Sequence, residues 1–196
     1  MAYKKTVQGR SYPFLYNVTM TVGSRKSVSH NKVSDMQAAP NSGMGQMARQ
    51  QGGQMARQQT QPVTKFTASY EPNKRDDVML VQYLLKRIYQ QGQNANPPLN
   101  QSNGTAQLKI DGLYGPKTQK AIEQFQLEMR RNGRNIATDG SVDPERGDSS
   151  TASISHTGYT ISWLNKYFWL LYPSLAPDLR VDPECPMELK QSLSNV

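Results

Sequence analysis

Few side chains of this chain could carry covalent or metal chemistry. The single cysteine, Cys185, excludes an intramolecular disulfide and any zinc site built on cysteine pairs. The two histidines, His30 and His156, each follow a serine, but adjacency in sequence is not the geometry of a catalytic triad. We therefore expect no enzyme, no metal site and no cofactor.

Three other patterns have simpler interpretations. The pair Asp76-Asp77 could be two acids at an active site, but a helix cap explains it better. The tripeptide that begins at Arg146 has the spelling of an integrin motif and is interpreted as a chance match. A run of aromatic residues could stack on sugar rings or pack in the core, and we favour the core; at least one tryptophan must face outward. Its members are Trp163, Tyr167, Phe168, Trp169 and Tyr172.

An Asp-Gly pair occurs twice, at Asp111-Gly112 and, 28 residues later, at Asp139-Gly140. Such a pair favours a tight turn, because glycine tolerates a positive φ and the aspartate side chain caps its own turn. Each pair is followed within five residues by a proline, which suits the first position of a helix or a turn.

Three amphipathic helices must position these turns. The first follows Asp77 and stops at Gly92, the second runs from Pro116 to about Arg131, and the third covers about 159–172. The tail from Ser174 is broken by prolines and is expected to wrap the surface. The apolar positions of the helices are Val78, Val81, Leu84, Leu85 and Ile88; Ala121, Ile122, Phe125 and Met129; and Ile161, Leu164, Phe168 and Leu171.

These helices and turns resemble the peptidoglycan-binding-like domain family over about residues 74–172. The resemblance rests on Asp77-Val78 with Val81-Gln82, on the first Asp-Gly turn, and on Thr118 with Ala121-Ile122 and Phe125-Gln126. It implies a mainly α, three-helix module. The second copy of the turn departs from the family pattern, with Asp143 in place of glycine and Arg146 in place of threonine.

The resemblance also implies a site for a glycan or a stem peptide beside the first turn and the start of the second helix. Five residues are candidates to contact such a peptidoglycan or muropeptide ligand: Tyr114, Lys117, Gln119, Lys120 and Gln124. Turn and core roles are expected for Asp111, Gly112, Gly115, Thr118, Phe125, Asp139 and Gly140.

The N-terminal third of the chain has a different composition. Residues 1–65 contain nine basic and one acidic side chain, whereas the rest is electroneutral. The alternation at Tyr12–Val22 predicts a strand with Tyr16, Val18, Met20 and Val22 on its apolar face. We expect a basic, β-prone arm at 1–33, a flexible Gln/Gly/Met-rich linker at 34–65 and the helical domain at 66–196.

Together these observations favour a non-catalytic wall-binding module whose arm, residues 1–65, anchors it to other subunits of a phage particle or contractile injection apparatus. The alternative is a purely structural protein of a phage tail or neck. The basic side chains are too scattered to favour nucleic-acid binding. The sequence shows neither a secretory signal nor a membrane span, so we expect synthesis in the bacterial cytoplasm without a Sec signal.

Overall fold

The structure is a computed structural model that describes residues 2–8, 12, 14–23, 73–100, 105, 107–147, 150–151 and 156–194. The linker expected at 34–65 and both expected domain boundaries lie outside the described residues. The described residues of the first 26 belong to the same compact unit as those that follow residue 72.

Helix α1, Arg75–Gln90, packs against the other three helices of this unit. Its predicted apolar residues recur every three or four positions. The helix is buried on nearly all sides, since residues 77–85, 88 and 89 are all inaccessible to solvent. The expected cap is wrong, because the N-cap residue is Lys74 and no side chain caps the helix. Asp77 lies in the first turn, fully buried, and its Oδ2 instead accepts hydrogen bonds from the backbone N–H groups of Thr19 and Met20.

Helices α2, Pro116–Arg131, and α3, Thr160–Leu171, lie where the sequence predicts them. Pro116 opens α2 at a position where a backbone N–H would have no helical partner. Gly133 follows α2 with a φ of +75°, a conformation that glycine adopts without strain. The Phe125 and Tyr167 rings meet edge to face between the two helices, with centroids 6.0 Å apart.

The C-terminal tail contains a fourth helix, α4, at Met187–Ser194, so the expectation of a three-helix domain with an irregular tail is corrected. Leu179 and Leu189 are fully buried and attach the tail to the core. Asp182 is also buried and pairs with Arg87 Nε of α1 at 3.0 Å, while the Tyr83 hydroxyl donates to it. Over the described residues the fold is therefore mainly helical, with four helices and a short two-stranded sheet.

The N-terminal residues form an antiparallel pair of strands, β1 at Tyr3–Thr6 and β2 at Phe14–Asn17. Strand β2 is shorter than predicted, and its side chains are buried on both faces rather than one, since Leu15 and Asn17 are as inaccessible as Tyr16. The sheet packs against α3 and α4. A two-stranded sheet is marginal alone, and the helices supply the apolar surface that it requires.

Candidate functional site

The first Asp-Gly turn is held by a buried glutamine of α1. Gln82 Oε1 accepts the backbone N–H groups of Asp111 and Gly112 at 3.1 and 2.9 Å. Its Nε2 lies within hydrogen-bond distance of Asp111 Oδ1, the Leu113 carbonyl and Thr118 Oγ1, at 3.0 to 3.1 Å. One side chain thereby fixes the turn and the start of α2.

The second Asp-Gly turn is held in the same way by Gln126 of α2. Gln126 Oε1 accepts the Gly140 N–H at 2.8 Å, and Nε2 lies within 3.1 Å of Asp139 Oδ1, the Ser141 carbonyl and Thr160 Oγ1. Gly112 and Gly140 have φ values of +71° and +70°. We call Gln82 and Gln126 with their turns the first and second amide clamps.

A third amide completes the series on α3. Asn165 Oδ1 accepts the backbone N–H of Tyr16 at 2.7 Å, and Asn165 Nδ2 donates to the Tyr16 carbonyl at 2.8 Å. In each helix two apolar residues lie three positions apart, and the amide residue comes immediately after the second of them. The three sets are Val78, Val81 and Gln82; Ile122, Phe125 and Gln126; and Ile161, Leu164 and Asn165. Strand β2 thus takes, on α3, the place that an Asp-Gly turn takes on α1 and α2.

The stretch after the second turn differs in sequence from the stretch after the first, and the structure gives a reason. Thr21 Oγ1 donates to Asp143 Oδ1 at 2.5 Å, and Val22 and Val142 exchange backbone hydrogen bonds. Glu145 is buried and pairs with Lys5 Nζ at 3.3 Å. The stretch after the second turn therefore binds the N-terminal segment, and Thr160 makes to Gln126 the contact that Thr118 makes to Gln82.

Three of the five predicted ligand contacts meet in one cleft of about 340 Å³, which we call the basic cleft. Lys117, Lys120 and Gln124 line it from α2. The opposite wall is not among the contacts predicted from the sequence, and it comes from the loop before the first turn. That wall is formed by Thr105, Gln107 and Leu108, and Ala121 lies at the base.

The other two predicted contacts lie elsewhere. The Tyr114 hydroxyl points to the Gly140 carbonyl at 3.4 Å, and Gln119 Nε2 donates to Glu123 Oε1 at 2.9 Å. Both side chains are half-buried beside the second turn, where the Glu123 side chain would be 3.0 Å from a Cβ placed on Gly140. They support the turn rather than line the basic cleft.

The structural roles expected for the remaining motif residues are seen directly. Asp111 Oδ1 accepts the Leu113 N–H at 3.0 Å, and this bond is the main cause that lowers the pKa of the Asp111 carboxyl. Thr118 and Phe125 are buried, and Gly115 is the extended N-cap residue of α2. Each residue has a sufficient role in folding.

A second cleft, of about 360 Å³, lies beside the N-terminal half of α3. Trp163 and Lys166 of α3 and Tyr12 of the N-terminal segment contribute to it, and we call it the aromatic cleft. The remaining lining residues are Asn135, Ser150, Thr151, His156, Gly158 and Ser162. Tyr167, Phe168 and Tyr172 are buried as the core interpretation predicts, whereas Trp163 and Trp169 are half-buried.

The basic N-terminal segment uses two of its cations within the chain. Lys4 Nζ donates to the Pro177 carbonyl, and Lys5 Nζ pairs with Glu145. The other seven basic side chains expected to contact partner subunits lie outside the described residues: Arg10, Arg25, Lys26, Lys32, Arg49, Arg57 and Lys65.

Within the described ranges, the structure contains neither a helix long and apolar enough to cross a bilayer nor a group of three potential metal-ligating side chains. The only cysteine, Cys185, is buried there, and burial raises the pKa of its thiol to about 12. Comparison of the chain with models of protein families, with curated proteins and with solved structures gives no match.

Proposed function

We propose that this chain is a non-catalytic binding module whose basic cleft takes a carboxylate of peptidoglycan or of a muropeptide. The observation that carries the proposal is the convergence of Lys117, Lys120 and Gln124 of α2 on one concave surface. The family resemblance supplies the class of polymer, and the lining of the cleft supplies the chemistry.

The electrostatics of the basic cleft favour an anion. Lys117 and Lys120 are exposed, and within the described part of the chain neither ammonium group is ion-paired. The first turn of α2 adds the positive end of a helix dipole beside Lys117. Among the described residues that line the cleft there is no carboxylate to oppose a negatively charged ligand.

The same lining supports binding without catalysis. Hydrolysis of a glycan or a peptide requires a positioned general acid, a general base or a metal-bound water. The described walls of the basic cleft offer ammonium, amide and hydroxyl groups and apolar side chains. Those groups can hold a carboxylate and the amides of a stem peptide, for which Gln107 is a suitable partner. The amide of Gln124 bonds to Thr105, the Asn100 carbonyl and Glu128, and so fixes the wall of the cleft.

Retention of the full chain on purified peptidoglycan sacculi tests the proposal. The double variant Lys117→Ala/Lys120→Ala is compared with Lys86→Ala/Lys190→Ala, which removes the same charge from α1 and α4. We expect the first variant to lose about tenfold or more in affinity, as charged hydrogen-bond partners do when removed, and the control to bind like the original chain.

Two results would contradict wall binding: no retention of the original chain, or equal loss in both double variants. Either result, together with co-purification of the chain in a large particle, would favour a structural protein of a phage tail or neck.

A further inference from the structure

The aromatic cleft and the basic cleft share one position of the internal repeat. Gln124 lies two residues before Gln126 on α2, and Trp163 lies two residues before Asn165 on α3. Gln124 lines the basic cleft, and Trp163 lines the aromatic cleft.

The wall before each Asp-Gly turn agrees with this alignment. Gln107 lies four residues before Asp111, and Asn135 lies four residues before Asp139. Gln107 lines the basic cleft, and Asn135 lines the aromatic cleft. The repeated unit therefore forms a concave surface twice, from the loop before a turn and the helix after it, with different side chains in each copy.

Trp163 is held rigidly in the aromatic cleft. A Cβ on Gly158 would lie 2.7 Å from Trp163 Nε1, so the indole rests directly against the glycine backbone. The Arg134 guanidinium and Lys166 Nζ lie 5.1 and 5.0 Å from the Trp163 ring centroid, at distances typical of cation–π contacts. A fixed aromatic ring loses little conformational freedom when a ligand packs on it.

Polar groups complete the lining around the indole. Asn135 Nδ2 donates to the His156 carbonyl at 3.0 Å, and His156 has a φ of +53°, which non-glycine residues rarely adopt. Hydroxyl groups come from Ser150 and Thr151, and among the lining residues that the structure describes Lys166 alone carries a full charge. The described lining contains no carboxylate.

We infer that the aromatic cleft binds a sugar ring that carries a carboxylate. Lys166 leaves its position over the indole to pair with the carboxylate, and the apolar C–H face of the sugar packs on the part of the ring that the ammonium uncovers. The hydroxyl, amide and imidazole groups bind ring hydroxyls. A neutral sugar lacks the ionic contact, and a simple anion lacks the contact with Trp163. This inference stands apart from the proposed role of the basic cleft.

Titration of the full chain with D-glucuronate and D-glucose tests the inference, since the two sugars differ only in the carboxylate. Acetate is the anion without a ring. Trp169→Phe leaves Trp163 as the sole tryptophan, so its fluorescence reports on the cleft, and calorimetry supplies affinities for the other variants. We expect saturable binding of D-glucuronate, with D-glucose and acetate each about tenfold weaker or more.

Variants assign the site within the molecule. Lys166→Gln and Trp163→Leu should each weaken D-glucuronate binding about tenfold, whereas Lys86→Gln, on α1 and outside both clefts, should leave it unchanged. Circular dichroism of each variant checks that it is folded.

Equal binding of D-glucose and D-glucuronate, equal binding of acetate, or no effect of Lys166→Gln in the folded protein would each overturn the inference. Because sacculus retention tests Lys117 and Lys120 separately, the two proposals can fail independently.

Discussion

The two amide clamps use nearly the same hydrogen bonds but lead into different chain paths. After the first turn the chain enters α2 within four residues of Gly112, and Thr118 of that helix bonds to Gln82. After the second turn the chain passes through residues 141–159 before α3 begins, yet Thr160 makes the equivalent bond to Gln126. The clamp geometry thus tolerates a long insertion between turn and helix.

The inserted stretch is where the N-terminal segment binds. Asp143 and Glu145 contact Thr21, Asn17 and Lys5 of that segment. Where the second copy of the repeat differs in sequence from the first, it binds another part of the same chain. That part is the N-terminal segment, whose strand β2 also binds Asn165.

The largest expected effect tests whether the clamps are equivalent. Gln82→Ala and Gln126→Ala each leave a buried glycine N–H and neighbouring polar groups without their partner. We expect each to lower the free energy of unfolding by about 3 to 5 kcal/mol, because each unsatisfied buried group costs about 1–3 kcal/mol. Urea denaturation measures both. A loss below about 1 kcal/mol in one variant alone would show that the clamps are not equivalent.

A smaller effect should separate the two turns. A Cβ on Gly112 would lie 2.5 Å from Arg75 Cγ and 3.0 Å from the Arg75 carbonyl, whereas on Gly140 it would meet only the flexible side chains of Glu123 and Gln119. We expect Gly112→Ala to cost about 3 kcal/mol and Gly140→Ala about 1 to 2 kcal/mol. Thermal unfolding measures both variants.

Gly133→Ala is the control for these two variants, because Gly133 has a positive φ and nothing within 4 Å of an added Cβ. Its loss of unfolding free energy, expected to be about 1 kcal/mol, comes from backbone strain alone. If Gly140→Ala lowered the stability more than Gly112→Ala, the close approach of α1 to the first turn would not determine the cost of adding a Cβ there.

The third amide should contribute less than either clamp. Asn165→Ala removes the partners of the Tyr16 N–H and carbonyl, and we expect a loss of about 2 kcal/mol. Amide hydrogen exchange at Tyr16 should accelerate far more than exchange in α2, because the strand opens locally when its attachment is lost. An unchanged exchange rate at Tyr16 would show that Asn165 does not hold β2 in the way that Gln82 and Gln126 hold the two Asp-Gly turns.

The smallest effect concerns the position two residues after each amide, which is Leu84 in α1, Glu128 in α2 and Tyr167 in α3. Glu128 is buried, and desolvation raises the pKa of its carboxyl. A raised pKa favours the folded state while the group is protonated, and this contribution is lost as the pH rises through the folded-state pKa.

Glu128→Gln removes that dependence. We therefore expect the Tm of the variant to gain on that of the original chain by about 2 °C as the pH rises from about 4 to 7. Differential scanning calorimetry at both values measures the change. A constant difference would show that Glu128 keeps the same protonation in both states.

The helices of this fold could be predicted from the sequence because their signals are local. Pro116 and Gly133 mark α2 on their own, and the Asp-Gly pairs imply positive φ without reference to the rest of the chain. The α4 helix was missed because four prolines between 173 and 186 suggested an irregular tail. Strand β1 was missed because Tyr3–Thr6 becomes a strand only beside β2.

The site was harder to predict for the same reason. Lys117, Lys120 and Gln124 share one helix face, so their convergence was readable, but Thr105 and Gln107 reach the basic cleft by tertiary packing. The aromatic cleft combines Tyr12 with Trp163, which are far apart in sequence. A glutamine in an amphipathic helix resembles a surface residue, and only its recurrence after the paired apolar positions of α1, α2 and α3 signals a clamp.

The hydrogen bond from the Gly23 N–H to Asn73 Oδ1, at 3.0 Å, brings together two residues that are 50 positions apart in the sequence. Chain that departs and returns at one point can change in length while its two anchors stay fixed. We expect this junction to be a permissive position for engineering, where a reporter peptide or a foreign domain with adjacent termini could be grafted while the strands before it and the helices after it keep their order.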